Sequence, residues 1–367
     1  MDIETLPLPG LALTALLAGG LLYLGSLPRS RSRLTTEEIA WAVAALYIYP
    51  IKSCRGISLR TSEVVATGLK HDRQFTFAVR EEGDEGEWKF ITQRQHPLLS
   101  QVSTAIDGDV LSASWPAGWW GRKGFGVPLS EPSEEQGEML QVRVWTDVVS
   151  AWRAPADVRR LGALKKFLGI PASTELILCR VRQKREVFRC APRKEELGWQ
   201  VVTGFADSVG TPFPSPQRRP LTEWEWNKYP LHLLSLSSVS HLGSRPAIAS
   251  ALGRDLSPQR FRANIIIRGP PAFDEDDWKR FSLGGFDYTA ACRTARCKMP
   301  NVDPDTGVKH PVEPDCTMRK YRNIDAGARN NACLGMQVVC EQMEGTTVNV
   351  GDCLEVLERG EHFFINR

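Results

Sequence analysis

The hydrophobic pattern changes character near residue 34. From Leu8 to Leu27 the chain carries no charged residue and is rich in Leu, Ala and Gly. A helix that begins after Pro9 spans about 27 Å at ~1.5 Å per residue, just enough for a hydrocarbon core of ~30 Å. Acidic residues precede this run, and three arginines follow it between positions 29 and 33. Basic flanks stay in the cytosol, so the pattern predicts that residues 1–33 are a transmembrane anchor with its basic flank. A secretory signal peptide is the alternative, disfavoured because its basic residues would precede the apolar run.

After this run the apolar pattern predicts one short helix and then mostly short strands. A connecting helix is predicted over Leu34–Ala45, with acidic residues in its first turn. Short segments of strand character then extend to residue 144, separated by turns such as Asp107-Gly108-Asp109. Helical spacing over Pro155–Leu168 and a strand over Glu175–Val181 complete this part. Residues 42–182 are therefore predicted to form a β-barrel-like domain.

The second half is also predicted to be mainly β-strands with some α-helix. Residues 183–228 are basic and rich in Pro and Trp, and we interpret them in part as an insertion or linker. Residues 203–358 are predicted to form a second β-rich domain, with a strand over Phe261–Arg268. Arg262 and Asn264 would then lie on one face of that strand.

Composition narrows the class of protein. The 367 residues include 46 Lys and Arg, 43 Asp and Glu, and 42% hydrophobic residues, which is typical of a globular protein. This excludes disordered, collagen-like and multi-span membrane proteins, and a net charge of +3 gives no indication of nucleic-acid binding. Nine scattered cysteines, an odd number, indicate reduced thiols in a cytosol-facing protein.

One cysteine stands out as a candidate for chemistry. Cys297 lies between Arg296 and Lys298 and shortly before the turn sequence Asp-Pro-Asp-Thr-Gly. Cationic neighbours favour its thiolate, which could act as a nucleophile or as a soft metal ligand. Other interpretations are a plain loop cysteine, a catalytic pair with a histidine, or structural zinc. The pair would use His241 or His310, and the zinc site would use Cys292, Cys297, His310 and Cys316.

Polar residues in three other segments indicate anion contacts. Each alone is more typical of a structural ion pair, but their presence alongside Cys297 indicates a phosphate-bearing cofactor. These residues are Lys52 and Ser53, Arg73, and Arg262 with Asn264.

The segments YPIKSCRG, HDR, FRANIII and RCKMPNVDPDTG resemble the MOSC (molybdenum cofactor sulfurase C-terminal) family, in particular its membrane-anchored amidoxime-reducing members. The resemblance covers about residues 42–358. It implies an N-terminal β-barrel domain, a C-terminal MOSC β-barrel domain and a molybdenum-pyranopterin cofactor. By resemblance, Cys297 is the catalytic residue and ligates molybdenum through its thiolate. The residues that would hold the pyranopterin and its phosphate are Lys52, Ser53, Arg73, Arg262 and Asn264, with Arg296 nearby.

The resemblance also implies an activity. Such enzymes reduce N-hydroxylated compounds, such as amidoximes, hydroxylamines and N-oxides, with electrons from a b-type cytochrome and its NADH-dependent flavin reductase. It implies the mitochondrial outer membrane, with the endoplasmic reticulum as the alternative. Two other functions remain open: a sulfurtransferase that carries a persulfide on Cys297, and a non-catalytic cofactor-binding module. Asn227–Tyr229 depart from the family pattern, and Cys292 has no assigned role.

Overall fold

The computed structural model describes residues 41–181 except 66–67, 82, 84–86, 120 and 145–146, the strands at 188–190 and 199–201, and residues 230–362 except 253–254 and 343–344. The predicted anchor, the start of the predicted connecting helix, the Pro-rich stretch 211–220 and the segment 227–229 lie outside these residues. Within the described ranges, no helix combines the length and the apolar character needed to cross a membrane.

The chain is mainly β, as the sequence predicts. The strands are β1 (Ala42–Ile48), β2 (Ile57–Leu59), β3 (Thr61–Val65), β4 (Gly68–Leu69), β5 (Phe75–Glu81), β6 (Trp88–Phe90), β7 (Ser103–Asp107), β8 (Val110–Ala117), β9 (Gly121–Pro128), β10 (Met139–Val144), β11 (Asp147–Arg153), β12 (Thr174–Val181), β13 (Phe188–Cys190), β14 (Trp199–Val201), β15 (Leu231–Ser235), β16 (Ile265–Arg268), β17 (Trp278–Leu283), β18 (Phe286–Arg296), β19 (Ala332–Cys340), β20 (Thr347–Asn349) and β21 (Leu354–Arg359). The α-helices are α1 (Val158–Phe167), α2 (Leu236–Gly243), α3 (Pro246–Leu252) and α4 (Asp315–Tyr321).

The first half contains a closed barrel in the order β10-β11-β12-β5-β6. Its longest ladder pairs β5 with β12, from Thr174 opposite Glu81 to Arg180 opposite Phe75. Helix α1 begins where the Asp157 side chain accepts a hydrogen bond from the Arg160 N–H at 2.9 Å, a typical N-cap. The predicted N-terminal β-barrel is thus confirmed, and α1 lies within the predicted helical segment.

The second half is built around an eight-stranded sheet in the order β2-β1-β16-β15-β19-β18-β17-β21. Strand β1 pairs antiparallel with β16, so it lies in the sheet of the second half. A bridge between Ala42 in β1 and Cys353, just before the last strand β21, connects the two sides of this sheet. The predicted helix over Leu34–Ala45 is therefore wrong for its last residues, because Ala42–Ala45 pair with β16 and bury an apolar face in the core.

The predicted strand over Phe261–Arg268 is wrong in its first half. Ser257 caps a short 3-10 helix at Pro258–Phe261, where proline at the first position favours the helical turn. Arg262 follows with a left-handed φ of 53°, and the strand begins only at Ile265. Arg262 and Asn264 therefore lie on the turn that leads into β16, not on one face of a strand.

Candidate cofactor site

Four segments meet where the barrel contacts the eight-stranded sheet. They are the turns that carry Lys52 with Ser53 and Asp72 with Arg73, the turn before β16, and the end of β18. The Arg73 N–H donates to the Tyr49 carbonyl at 3.0 Å, and the Lys52 N–H donates to the Phe75 carbonyl at 2.7 Å. These backbone bonds position the predicted residues near β1, which is itself part of the sheet.

Asp72 is the central acceptor of this site and is fully buried. Its carboxylate accepts from the Tyr49 N–H at 2.7 Å, from Asn264 Nδ2 at 3.0 Å and from Arg73 Nη1. Arg73 also donates to Asn264 Oδ1 at 3.2 Å and to the Arg262 carbonyl at 2.8 Å. The structure therefore brings the predicted residues Arg73, Arg262 and Asn264 into one network.

Arg262 is held by a carbonyl and an aromatic ring. Its Nη1 donates to the Cys54 carbonyl at 2.6 Å, and its guanidinium carbon lies 4.1 Å from the centre of the Tyr49 ring. The Arg73 guanidinium lies over the same ring at 4.8 Å. A desolvated cation–π contact contributes about 2 kcal/mol. Burial lowers the pKa of Arg262 to about 10, so it stays charged at neutral pH.

Arg296 is a third buried cation, directly before Cys297. Its Nη2 donates to the Phe261 carbonyl at 2.9 Å. Burial lowers the pKa of Arg296 to about 10, and the nearby Cys297 acts in the opposite direction. Its Nε and Nη1 are buried and have no hydrogen-bond partner within the described part of the chain.

The remaining predicted residues are also buried. The Gln93 amide donates to the Ser53 carbonyl at 2.7 Å, while the Ser53 hydroxyl is one more buried group without a partner among the described residues. Lys52 is 5% exposed, and its Nζ lies 5.6 Å from the centre of the Phe90 ring. Both residues lie on the turn after β1.

The charges of this network do not balance. Three arginines are buried in it, Arg73, Arg262 and Arg296, and Asp72 is the one carboxylate that bonds to any of the three within the described residues. Buried charges are costly unless they are paired. Unpaired donors remain on Arg262, Arg296 and Ser53. This donor set fits a phosphate group, which carries about two negative charges and accepts several hydrogen bonds.

Backbone strain concentrates in the same place. Ser53, Arg73 and Arg262 have left-handed φ values of 67°, 49° and 53°. Left-handed conformations cost a non-glycine residue about 1 to 3 kcal/mol and persist where the surroundings impose them. All three residues belong to the predicted anion-binding set, which supports a functional role for the site.

Cys297 follows the last residue of β18 and is half-buried. The turn after it is firmly held: Asp303 Oδ1 accepts from the Asp305 N–H at 2.8 Å, and Arg260 Nη2 donates to Asp303 Oδ2 at 2.8 Å. Gly307 ends the turn with a φ of 71°. The thiol therefore sits on a fixed loop and remains partly accessible.

Two alternatives for Cys297, a zinc site and a catalytic pair with a histidine, have no supporting contact among the described residues. No group of three His, Cys, Asp or Glu side chains in the described residues is placed to hold a metal ion, which contradicts the zinc alternative. His310 Nδ1 accepts from the Glu313 N–H at 2.7 Å, and His241 packs against Phe273 with ring centres 5.0 Å apart. Cys292 is buried in an apolar cluster, and burial raises the pKa of its thiol.

A cavity of about 240 Å³ lies beside this network, at the contact between the two halves. Tyr49 and Arg262 form part of its wall, together with Arg55 and Arg260. Arg55 and Arg260 pair with Asp305 and Asp303, both at 2.7 to 2.8 Å. The cavity therefore adjoins the anion-binding network but has largely compensated charges of its own.

Comparison with known proteins agrees with this arrangement. Residues 40–171 match the MOSC N-terminal beta barrel domain, and residues 225–355 match the MOSC domain. The chain belongs to the MOSC family. It is 25% identical to mitochondrial amidoxime-reducing component 1 of Homo sapiens, over 95% of this chain and 91% of the relative. The protein of the same name from Mus musculus is 27% identical over 86% of this chain and 80% of the relative, and that from Xenopus laevis is 28% identical over 84% and 80%.

In this MOSC chain, sequence reasoning missed three members of the site: Asp72, Tyr49 and His232. His232 on β15 is fully buried, and its backbone N–H donates to Asn264 Oδ1 at 3.3 Å. Burial, together with the charges of Arg296 and Arg73, holds the pKa of His232 well below its usual range, so the ring is neutral. Gly335 leaves room for the ring, since a Cβ there would lie 2.6 Å from His232 Nε2. No local motif marks His232, because every one of these contacts is distant in sequence.

Proposed function

We propose that this MOSC protein is a molybdenum-cofactor-dependent oxidoreductase that reduces N-hydroxylated compounds, such as amidoximes, hydroxylamines and N-oxides. The observation that carries the proposal is the excess of buried positive charge next to the half-buried Cys297 thiol. A thiolate suits a soft metal centre, and buried arginines suit a phosphate. Relatives named amidoxime-reducing components, at 25 to 28% identity, support this reaction class.

The residues of the site have distinct roles in this proposal. Cys297 ligates the metal through its thiolate. The phosphate and the pyranopterin are held by the buried donors, which are Lys52, Ser53, Arg73, Arg262, Asn264 and Arg296. When bound, the molybdenum centre would supply two electrons, which together with two protons from solvent convert an N–OH group to N–H and water.

The chain itself contributes orientation and access. Asp72 and Asn264 fix the direction of the Arg73 guanidinium, so the anion site is formed before the cofactor arrives. The turn that contains Asp303 holds Cys297 at the surface end of β18, where a small substrate can approach. The neutral His232 ring adds no further positive charge to the buried set.

The electron donors and the location are part of the same proposal. We propose a b-type cytochrome and its NADH-dependent flavin reductase as electron donors. Residues 1–33 would anchor the protein in a membrane with the body facing the cytosol. The names of the relatives favour mitochondria, and we propose the outer membrane, with the endoplasmic reticulum as the alternative.

Metal analysis of the purified protein tests this function directly. The change Cys297→Ala is expected to abolish bound molybdenum while circular dichroism stays unchanged, because the thiol is only half-buried and its removal leaves the core intact. The matched control is Cys353→Ala, which removes an exposed thiol and should retain the metal. Unchanged molybdenum in the Cys297 variant would refute the assignment.

Two other results would favour the alternative functions. A wild-type protein without molybdenum that releases thiocyanate on treatment with cyanide would indicate a persulfide on Cys297. A protein that binds molybdenum but does not reduce a benzamidoxime-type substrate with an artificial electron donor would indicate a non-catalytic binding module.

A further inference from the structure

Tyr49 lies at the centre of the anion-binding network. It begins the segment YPIKSCRG, but it is not among the residues that the resemblance assigns to the cofactor. It lies just after β1 and is 3% exposed. The guanidinium groups of Arg262 and Arg73 lie 4.1 and 4.8 Å from the centre of its ring. One side chain therefore contacts two of the three buried cations.

The position of this ring is fixed from both halves of the protein. The Tyr49 N–H donates to Asp72 Oδ1 at 2.7 Å, and the Tyr49 hydroxyl donates to the Ala263 carbonyl at 3.4 Å. Gly56 packs against the ring, where a Cβ would lie only 2.5 Å from Tyr49 Cε1. The ring thus has little freedom to move, and neither do the cations above it.

An aromatic ring has a particular advantage at this place. Its electron-rich face attracts a cation, but the ring brings no net charge. A carboxylate in the same position would neutralise the arginines and compete with an incoming anion. Burial raises the pKa of Tyr49 to about 12, so the side chain remains a neutral phenol at physiological pH.

We propose that Tyr49 is a positioning residue: its ring holds Arg73 and Arg262 in the orientation that receives an anion, and it leaves their charge available. The inference rests on the proposed function, since the anion in question is the phosphate of the cofactor. It adds a residue that acts through the two arginines.

The test varies the electrostatics of the ring while keeping its shape. Phenylalanine and its mono-, di-, tri- and pentafluorinated analogues are placed at position 49 of the full chain, prepared without cofactor. Binding of inorganic phosphate is measured by calorimetry at constant ionic strength. Tyr49→Phe should bind like the wild type, and affinity should fall steadily with fluorination, by about tenfold for the pentafluoro ring.

The matched control is a second cation–π pair of the same protein. Arg245 lies 4.1 Å from the centre of the Tyr321 ring, outside the anion-binding network. The same fluorination series at position 321 should leave phosphate affinity unchanged. Circular dichroism of each analogue confirms that the fold is retained, since fluorination alters ring volume only slightly.

Each outcome decides a separate question. A series at position 49 that is flat, or in which affinity rises with fluorination, overturns the positioning role of Tyr49 and leaves the proposed function intact. Loss of affinity in Tyr49→Phe as large as in the pentafluoro analogue also overturns it, because the hydroxyl would then be the active group. A wild-type protein that does not bind phosphate overturns the anion site, and with it both proposals.

Discussion

Replacing Asp72 by Asn tests the charge balance of the site most directly. Asp72→Asn keeps the shape of the side chain but removes the carboxylate that pairs with Arg73 in the described network. It also replaces one carboxylate oxygen with an NH2 group. That donor would face either the Tyr49 N–H or Asn264 Nδ2, which both donate to Asp72 in the wild type.

The expected loss is large. Removing one partner of a buried ion pair costs about 3 to 5 kcal/mol, because the other charge stays buried without compensation. Domains are stable by about 5 to 15 kcal/mol, so this is a substantial fraction of the total. The melting temperature should fall by about 6 to 20 °C.

The assay is thermal unfolding followed by circular dichroism, with Asp305→Asn as the control. Asp305 pairs with Arg55 at 2.7 Å, but these side chains are 44% and 38% exposed, so this change should cost less than about 1 kcal/mol. Added phosphate should recover part of the loss in Asp72→Asn. A loss no larger than that of Asp305→Asn would show that Arg73 is compensated by other groups, and the reasoning on buried charge would be wrong.

Two further predictions concern pH and packing. Burial raises the pKa of Glu275 from 4.5 to about 7. Between these pH values the folded protein keeps a proton that the unfolded chain releases, so the free energy of unfolding falls as the pH rises from 4.5 through 7. Glu275→Gln should match the wild type near pH 4 and exceed it by about 3 kcal/mol at pH 8 in urea unfolding; equal stability at both pH values would contradict this. Gly56→Ala should displace the Tyr49 ring, cost about 1 to 3 kcal/mol, and weaken phosphate binding in calorimetry, whereas unchanged affinity would show that the ring does not need that space.

Much of the site could be predicted because its chemistry lies in short segments. Cys297 stands before a turn whose Pro, Asp and Gly residues specify their own conformation, and the structure has that turn. Lys52 with Ser53 and Arg73 likewise fall in turns between strands, where functional residues are common.

What sequence could not supply is the set of contacts between distant segments. The pattern of Phe261–Arg268 favours a strand, but the left-handed Arg262 depends on bonds to Cys54 and Arg73, some 190 to 210 positions away. The same holds for Asp72, whose importance comes from Asn264, and for His232. Ala42–Ala45 fit a helix locally, yet their pairing with β16 overrides that preference.

The pairing of β1 with β16 also sets how early the sheet can be completed during synthesis. Its partner β16 is translated roughly 220 residues later, which at 5 to 20 residues per second is a delay of about 10 to 45 s. During this interval one edge of β1 can pair with the nearby β2, but the edge that will pair with β16 stays open and the apolar face of β1 has no complete core to enter. Until then neither the complete sheet nor the arginine network beside it can form, so the anion site is assembled only after most of the chain has been made.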